Sequence, residues 1–288
     1  MTDQYRSVVI LGAARSGTKF FRKILAAPPH FRETPFDSNH IWRIGNSRTH
    51  DDALDPDTLR AGDRRAIQKA LWRIALKGSS PEGQVLVEKT VSNTLRPAFV
   101  DRVLPASRYL VLFRDGRDVV ESTFRMWQTP PESTSLKQKL VSLPPRALPY
   151  AMWYAGNMLV GKLSGRGVRL WGVRYPGIEA DLKVLSLEEI CAKQWVTCVE
   201  STLTAMKSTL DGRSFVIRYE KLVEDDTLLD AVGDFLDLAT ADVHLMKEIW
   251  TESKNPPGCS RWESTFSPTV RSKIQSIILP TQKKLGYE

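Results

Sequence analysis

Residues 7–19 read SVVILGAARSGTK, and this stretch decides the fold. Its apolar run predicts a strand over Ser7–Leu11, and a helix is expected over 18–27. Between them, a turn bounded by Gly12 and Gly17 directs several backbone N–H groups toward one point. Such a point favours anions because the N–H groups are unpaired and the helix N-terminus is positive. The stretch therefore predicts a strand–turn–helix unit that binds an anion.

Strands and helices alternate along the rest of the chain. Tyr109–Phe113 is apolar on both faces, which is typical of a central strand in a parallel sheet. The other predicted elements are a helix over Asp57–Lys77, a strand over Gln84–Val87, a helix over Arg117–Trp127, an amphipathic helix with an apolar stripe from Ala192 to Leu210, a strand over Phe215–Arg218 and a last helix opened by Ser267-Pro268. This order predicts a three-layer α/β/α fold around a central parallel sheet. We expect a single domain over 1–288, with an irregular region at about 128–190.

The composition excludes some classes of protein and leaves the partner open. The chain has 288 residues, of which 42% are hydrophobic and 26% charged, so it is not a disordered protein. Lysine and arginine number 41 against 33 aspartates and glutamates, which gives a net charge of +8. This excess indicates an anionic partner, and nucleic acid, acidic lipid and a small polyanion all fit it.

The cysteines and the apolar segments indicate the cellular compartment of the protein. Its 3 cysteines have no CxxC spacing, which favours reduced thiols over a disulfide framework or a zinc site. The run Val8–Leu11 is too short for a signal peptide, and Ala147–Val160 is too short for a membrane span. We therefore expect a cytoplasmic protein without membrane attachment.

The glycine turn has the G-x-x-x-x-G spacing of a P-loop without the Lys-Ser/Thr that should follow it. Here Thr18 precedes Lys19, so the hydroxyl that would hold Mg²⁺ in an NTPase is displaced. The G-x-G-x-x-G pattern of dinucleotide-binding proteins is absent as well. A tight turn with incidental charges is the alternative interpretation.

Two short motifs at strand–helix junctions carry a family resemblance. Arg15-Ser16-Gly17-Thr18 resembles the 5′-phosphosulfate loop of sulfotransferases that use 3′-phosphoadenosine 5′-phosphosulfate (PAPS). The segment RDGRDVVES at 114–122 resembles the 3′-phosphate motif of the same family, with Arg114 at a strand end and Ser122 in the next helix. A guanidinium can bind a phosphate with two hydrogen bonds, and a serine hydroxyl adds a donor. Taken alone, the second motif could be a charged helix start capped by Asp115.

Three further segments extend the resemblance. FVIRYEKL at 215–222 is similar to the family's strand ending in Y-E-x-L, which implies that Tyr219 lies near the adenine. GCSRWE at 258–263 is similar to the loop that closes over the 3′-phosphate, which implies roles for Ser260, Arg261 and Trp262. Lys89, in the segment EKT, stands where the family commonly has a catalytic lysine.

The resemblance also implies roles in the first loop. Arg15 would bind the phosphosulfate, and Ser16, Gly17 and Thr18 would bind the 5′-phosphate. Lys19 replaces a second threonine that many members carry, and its charge can substitute for that hydroxyl.

The catalytic base is left with three candidates. The position two residues after Lys89, where some family members have a histidine, is a valine. Another branch of the family uses a carboxylate after the first helix, which makes Asp37 the first choice, with Glu33 and His40 behind it. A turn or helix-cap role for Asp37 is an equal alternative.

The resemblance implies a PAPS-dependent sulfotransferase with a P-loop-like fold that needs no metal and releases 3′-phosphoadenosine 5′-phosphate (PAP). The acceptor would be a hydroxyl, or less readily an amine, of a glycan or small metabolite, and 128–190 would shape its pocket. Two rival hypotheses are a Mg²⁺-dependent nucleotide kinase or NTPase and a basic nucleic-acid-binding protein. The candidate cations lie at strand ends and in loops and form no continuous run, so no nucleic-acid groove is required.

Overall fold

A sheet of five parallel strands forms the centre of the molecule. The computed structural model describes residues 7–76, 78–129, 144–149, 152, 171–253 and 261–287. The strands are β1 (Ser7–Gly12), β2 (Phe31–Glu33), β3 (Val85–Glu88), β4 (Arg108–Phe113) and β5 (Ser214–Arg218). Their order is β2-β3-β1-β4-β5, and every neighbouring pair is parallel. The carboxyl ends of all five strands therefore lie at one edge of the sheet.

Helices cover both faces of this sheet. In chain order they are α1 (Thr18–Leu25), α2 (Asn39–Trp42), α3 (Ala61–Leu76), α4 (Pro97–Val103), α5 (Gly116–Gln128), α6 (Ile178–Asp181), α7 (Leu187–Met206), α8 (Tyr219–Glu224), α9 (Leu228–Phe235), α10 (Thr240–Ser253), α11 (Trp262–Thr265) and α12 (Pro268–Lys284). Val9 and Leu11 point into the core on one face, which includes α3, α4, α5, α7 and α12. Val8 and Ile10 point into the second core, with α1, α9 and α10. This arrangement confirms the predicted three-layer α/β/α fold, because alternate residues of a strand bury on opposite faces.

Several predicted boundaries needed correction. The helix predicted over Asp57–Lys77 begins at Ala61, because Pro56–Thr58 forms a separate 3₁₀ turn and Leu59 is extended after it. The helix predicted to reach Leu210 ends at Met206, and Leu210 is buried in the following turn. The first helix ends at Leu25, two residues earlier than predicted.

Several short elements were not predicted, among them strand β2 and helices α2, α4 and α6. Strand β2 has 3 residues, too few for a periodic pattern, and it is held by pairing with β3. Helix α6 lies in the region at 128–190 that was predicted to be irregular, and much of that region lies outside the described residues.

Helix α7 packs tightly against the start of α5. Its N-terminus is fixed by a capping box in which Ser186 and Glu189 bond each other's backbone. Trp195 is buried against Gly116, where an added Cβ would lie 3.1 Å from three of its ring carbons. Cys191 and Cys198 are buried thiols on the same helix. In the described part of the chain, no helix is long and apolar enough to cross a membrane.

Candidate functional site

The candidate site lies where the five strands end. Because the strands are parallel, the residues that follow each one meet along the same edge of the sheet. The glycine loop follows β1, Asp37 lies beyond β2, Lys89 follows β3, Arg114 follows β4 and Tyr219 follows β5. Open α/β sheets bind ligands at this edge, where the strand order switches direction.

The glycine loop adopts a conformation that its sequence makes possible. Gly17 has φ 84°, and an added Cβ would lie 2.2 Å from Cδ2 of Tyr219. Glycine is therefore required there both for its left-handed backbone and for the approach of the tyrosine ring. Arg15 also has a positive φ, of 68°, which is uncommon for a residue with a side chain. Ser16 and Thr18 are buried, whereas Arg15 and Lys19 are exposed.

The two phosphate-type motifs contact each other directly. Nε of Arg15 donates to Oγ of Ser122 at 2.9 Å, and Nη1 of Arg114 donates to the backbone oxygen of Arg15 at 3.0 Å. The guanidinium carbon of Arg114 lies 4.3 Å from the ring centroid of Tyr219, a cation–π contact. Four predicted nucleotide-binding residues from three strand ends thus form one contact network.

Arg125 adds a cation that the sequence motifs did not include. It lies one helical turn beyond Ser122 on α5 and forms an ion pair of 2.6 Å with the buried Glu121. Partial burial and the charges of Arg125 and Arg114 lower the pKa of Arg15. The part of this lowering that comes from Arg125 and Arg114 reflects three cations close together, which suits a polyanion. The i,i+4 spacing from Glu121 was the available signal, but it is equally typical of a solvated helix face.

Glu220 is a second residue of the site to which the sequence motifs assign no role. Its carboxylate accepts hydrogen bonds from the backbone N–H of Asp115, at 3.0 Å, and from the hydroxyl of Tyr287, at 2.8 Å. Asp115 caps α5 by accepting from the N–H of Arg117, as the alternative interpretation of that motif predicted. The Y-E pair after β5 thus ties the helix that carries Ser122 to the C-terminal segment.

Lys89 and Asp37 form the other part of the site. The two oxygens of Asp37 lie 3.0 and 3.2 Å from Nζ of Lys89, and one of them also accepts from the N–H of Val91 at 2.8 Å. The Lys89 side chain is 3% exposed, while that of Asp37 is 32% exposed. A buried cation therefore holds a carboxylate that solvent can reach.

The other two candidate bases lie in different surroundings. Glu33 forms an ion pair of 2.7 Å with Nε of Arg22, on α1. His40 is largely buried and stacks on Phe36, with ring centroids 6.1 Å apart. Of the three candidates, Asp37 is the one that these contacts bring to Lys89.

The C-terminal motif falls partly within the described residues. Trp262 begins α11, is buried and packs edge-to-face on Phe266 at 5.6 Å. Arg261 is exposed at the start of that helix. Ser260 lies outside the described residues. The hydroxyl of Thr265 donates to Glu121 at 3.3 Å, which joins α11 to the helix of Ser122 and Arg125.

Comparison with known proteins places this chain in a family. Residues 7–157 match the sulfotransferase family. The chain belongs to that family. A search of curated proteins found no match. Among the described residues, no group of three or more His, Cys, Asp and Glu side chains could hold a metal ion.

Solved sulfotransferase structures share the fold. The sulfotransferase domain from the curacin biosynthetic pathway is 16% identical, with a TM-score of 0.52 over 98% of this chain and 97% of that one. A sulfotransferase from Alicyclobacillus acidocaldarius is 15% identical, with a TM-score of 0.51 over 98% and 96%. A mouse sulfotransferase complexed with PAP is 12% identical, with a TM-score of 0.51 over 96% and 85%. These likenesses confirm the P-loop-like sulfotransferase fold that the motifs predicted.

Proposed function

We propose that this sulfotransferase transfers the sulfuryl group of PAPS to a hydroxyl, or less readily an amine, of a glycan or small metabolite. The observation that carries the proposal is the contact of Arg15 with Ser122, which brings the two phosphate-type motifs into one cationic site. A ligand with phosphates at both ends of an adenosine needs two such anion sites a short distance apart. The PAP complex of the mouse relative supports the same nucleotide for this chain.

In this proposal the nucleotide lies across the ends of β1, β4 and β5. The backbone N–H groups of Gly17 and Thr18, with the charge of Lys19, bind the 5′-phosphate at the N-terminus of α1. The backbone N–H of Ser16 donates to the oxygen of Ala13 at 3.2 Å, so Ser16 contributes its hydroxyl in this scheme. Arg114 and Ser122 bind the 3′-phosphate, and the Arg114 guanidinium supplies the paired donors. Tyr219 packs near the adenine, and Ser260, Arg261 and Trp262 close over the 3′-phosphate.

The residues that follow β2 and β3, together with Arg15, carry out the chemical step in this proposal. Asp37 takes the proton of the acceptor hydroxyl as its oxygen attacks sulfur, and the bond from sulfur to the phosphate oxygen breaks. Arg15 and Lys89 stabilise the charge that grows on the leaving phosphate and the transferring group. The products are the sulfated acceptor and PAP, with the proton on Asp37. No metal takes part in this scheme.

The ion pair between Lys89 and Asp37 determines the order of events in the proposed transfer step. In the structure both oxygens of Asp37 lie within hydrogen-bond distance of Nζ of Lys89, so the lysine occupies the carboxylate. An incoming sulfuryl group competes for the lysine, which releases the carboxylate toward the acceptor.

We assign this activity to a single domain of residues 1–288, with the region at 128–190 on the acceptor side.

Calorimetry tests the nucleotide assignment. We expect PAP to bind with at least tenfold higher affinity than adenosine 5′-phosphate, and ATP with Mg²⁺ to bind weakly. Preference for ATP with Mg²⁺ would support a kinase or NTPase. Salt-sensitive binding of DNA or RNA without PAP binding would support the nucleic-acid hypothesis. Labelled PAPS with a panel of glycans, phenols and amines then identifies the acceptor.

A further inference from the structure

Glu88 is a fully buried acid at the end of β3 with no role in the scheme above. It precedes Lys89 directly in the chain, and its side chain is 0% exposed. Burial raises its pKa, and the negative charge of Asp37 adds to that effect. An acid in such a place costs stability unless donors surround its oxygens.

Four side chains surround the carboxylate of Glu88. One oxygen accepts from Nε1 of Trp42 at 3.0 Å, from the hydroxyl of Thr90 at 2.6 Å and from that of Ser38 at 3.2 Å. The other oxygen accepts from Nδ2 of Asn93 at 2.9 Å. All four partners are buried.

Two further bonds fix the direction of this network. The side-chain oxygen of Asn93 accepts from Nε of Arg96 at 2.9 Å, so the amide nitrogen of Asn93 must face Glu88. The hydroxyl oxygen of Thr90 accepts from the backbone N–H of Ser38 at 3.0 Å and lies 3.1 Å from the Ser38 hydroxyl, and its closest contact is the one of 2.6 Å to Glu88. The indole N–H of Trp42 and the amide nitrogen of Asn93 can only donate, so the pocket requires an acceptor at both oxygens of Glu88.

The four donors come from two separate segments of the chain. Ser38 and Trp42 follow Asp37, whereas Thr90 and Asn93 follow Lys89. Glu88 thus links two segments through hydrogen bonds: the one that contains the proposed base, Asp37, and the one that contains the proposed cation, Lys89. The contact between Nζ of Lys89 and Asp37 depends on how these two segments meet.

We propose that Glu88 is a positioning residue that sets the distance and orientation between Asp37 and Lys89. This inference rests on the proposed function. Glu88 touches neither the nucleotide nor the acceptor in that scheme, so its loss changes the rate of transfer and leaves nucleotide binding intact. Displacements of about 1 Å in such a pair reduce turnover by about 10²-fold.

The test is a cycle of variants between Glu88 and Asn93. Glu88→Gln keeps the size of the side chain but turns its amide nitrogen toward that of Asn93, so two donors face each other. Adding Asn93→Asp restores an acceptor at that point, and the new carboxylate still accepts from Arg96. We expect Glu88→Gln to lower kcat by about 10- to 100-fold and the double variant to recover most of it. The KM for PAPS and the Kd for PAP stay within about twofold throughout.

Glu179→Gln serves as the matched control, because Glu179 is exposed and pairs with Arg174 at 2.8 Å. The inference is overturned if Glu88→Gln keeps wild-type kcat, or if the double variant is as slow as the single one. Where Glu88→Gln alone does not fold, the double variant decides: turnover near wild type supports the inference, and turnover below a tenth overturns it. If wild-type protein neither binds PAP nor releases label from PAPS, the proposed function fails first. If it does both and the cycle shows no effect, the positioning role alone fails.

Discussion

The two parts of the site are built in different ways. The nucleotide part, at the ends of β1, β4 and β5, joins Arg15, Ser122, Arg114 and Tyr219 through a few direct contacts. Two of these, Arg15 and Arg114, are cations that reach solvent. The transfer part, at the ends of β2 and β3, places one buried lysine inside a dense network of buried polar groups.

This difference matches what each part holds in the proposed function. A phosphate is bound by backbone N–H groups and a flexible guanidinium, so a short motif at a strand end is sufficient. Proton transfer and charge stabilisation need two side chains at a fixed separation, which two distant segments must supply together. The nucleotide part should therefore tolerate changes in the transfer part, and the following predictions test that independence.

The largest effect is expected at Asp37. Asp37→Asn removes the proposed base, so kcat should fall by about 10²- to 10⁴-fold, the usual contribution of general-base catalysis. The Kd for PAP should remain unchanged. Single-turnover kinetics with labelled PAPS and calorimetry with PAP measure the two quantities.

Glu33→Gln and His40→Gln are the comparisons for that variant. A loss of turnover at either residue, together with retained activity in Asp37→Asn, would transfer the role of base to that residue. Loss of PAP binding in Asp37→Asn would contradict the separation of the two parts.

Lys89→Met should have the next largest effect. It removes a buried positive charge that stabilises the transferring group in the proposed step, so we expect kcat to fall by about 10²- to 10³-fold. Lys23→Met is the control, because Lys23 is an exposed residue of α1 and its Nζ donates to the hydroxyl of Ser253 at 2.8 Å. Equal rates for the two variants would show that Lys89 takes no part in the chemistry.

Arg114→Ala tests the nucleotide part. A charged hydrogen-bonding group contributes about 1.5–3 kcal/mol, so affinity for PAP should fall by about 10- to 100-fold. Affinity for adenosine 5′-phosphate, which lacks the 3′-phosphate, should change much less. Titration calorimetry with both nucleotides measures this discrimination, and equal losses would mean that Arg114 does not bind the 3′-phosphate.

Gly17→Ala should produce the smallest of these changes. Alanine at the left-handed backbone of Gly17 costs about 1–2 kcal/mol, and its methyl group also displaces the Tyr219 ring. Gly177→Ala is a close control, since Gly177 has φ +86° but has no atom within 4 Å of the added Cβ. We expect both variants to lose thermal stability, Gly17→Ala more so because the Tyr219 ring must move, and we expect weaker PAP binding in Gly17→Ala only. Equal PAP affinity in the two variants would argue against this position for the nucleotide.

The same contrast explains what the sequence could predict. The glycine loop and the Arg114–Ser122 motif are local patterns, each contained in one short stretch of sequence. The fold and the candidate nucleotide residues could therefore be predicted from the sequence alone. The roles of Glu88 and Glu220 come from contacts with distant segments, which no local pattern marks. Arg125 pairs with Glu121 at a local i,i+4 spacing that is equally typical of a solvated helix face. Strand β2 escaped prediction for a related reason: its 3 residues depend on pairing with β3.

The strand order also constrains how the chain folds. The first strand in sequence is the middle strand of the sheet, and its Val9 pairs with both Glu88 and Tyr109. The edge strand β5 then pairs Phe215 with Leu110. Strand pairings between such distant residues form late in folding. A long loop must close first, and the entropy lost in closing it is compensated only when the strands make contact. We therefore expect the first strand to emerge from the ribosome well before both of its partners, the second of which is complete only at Phe113.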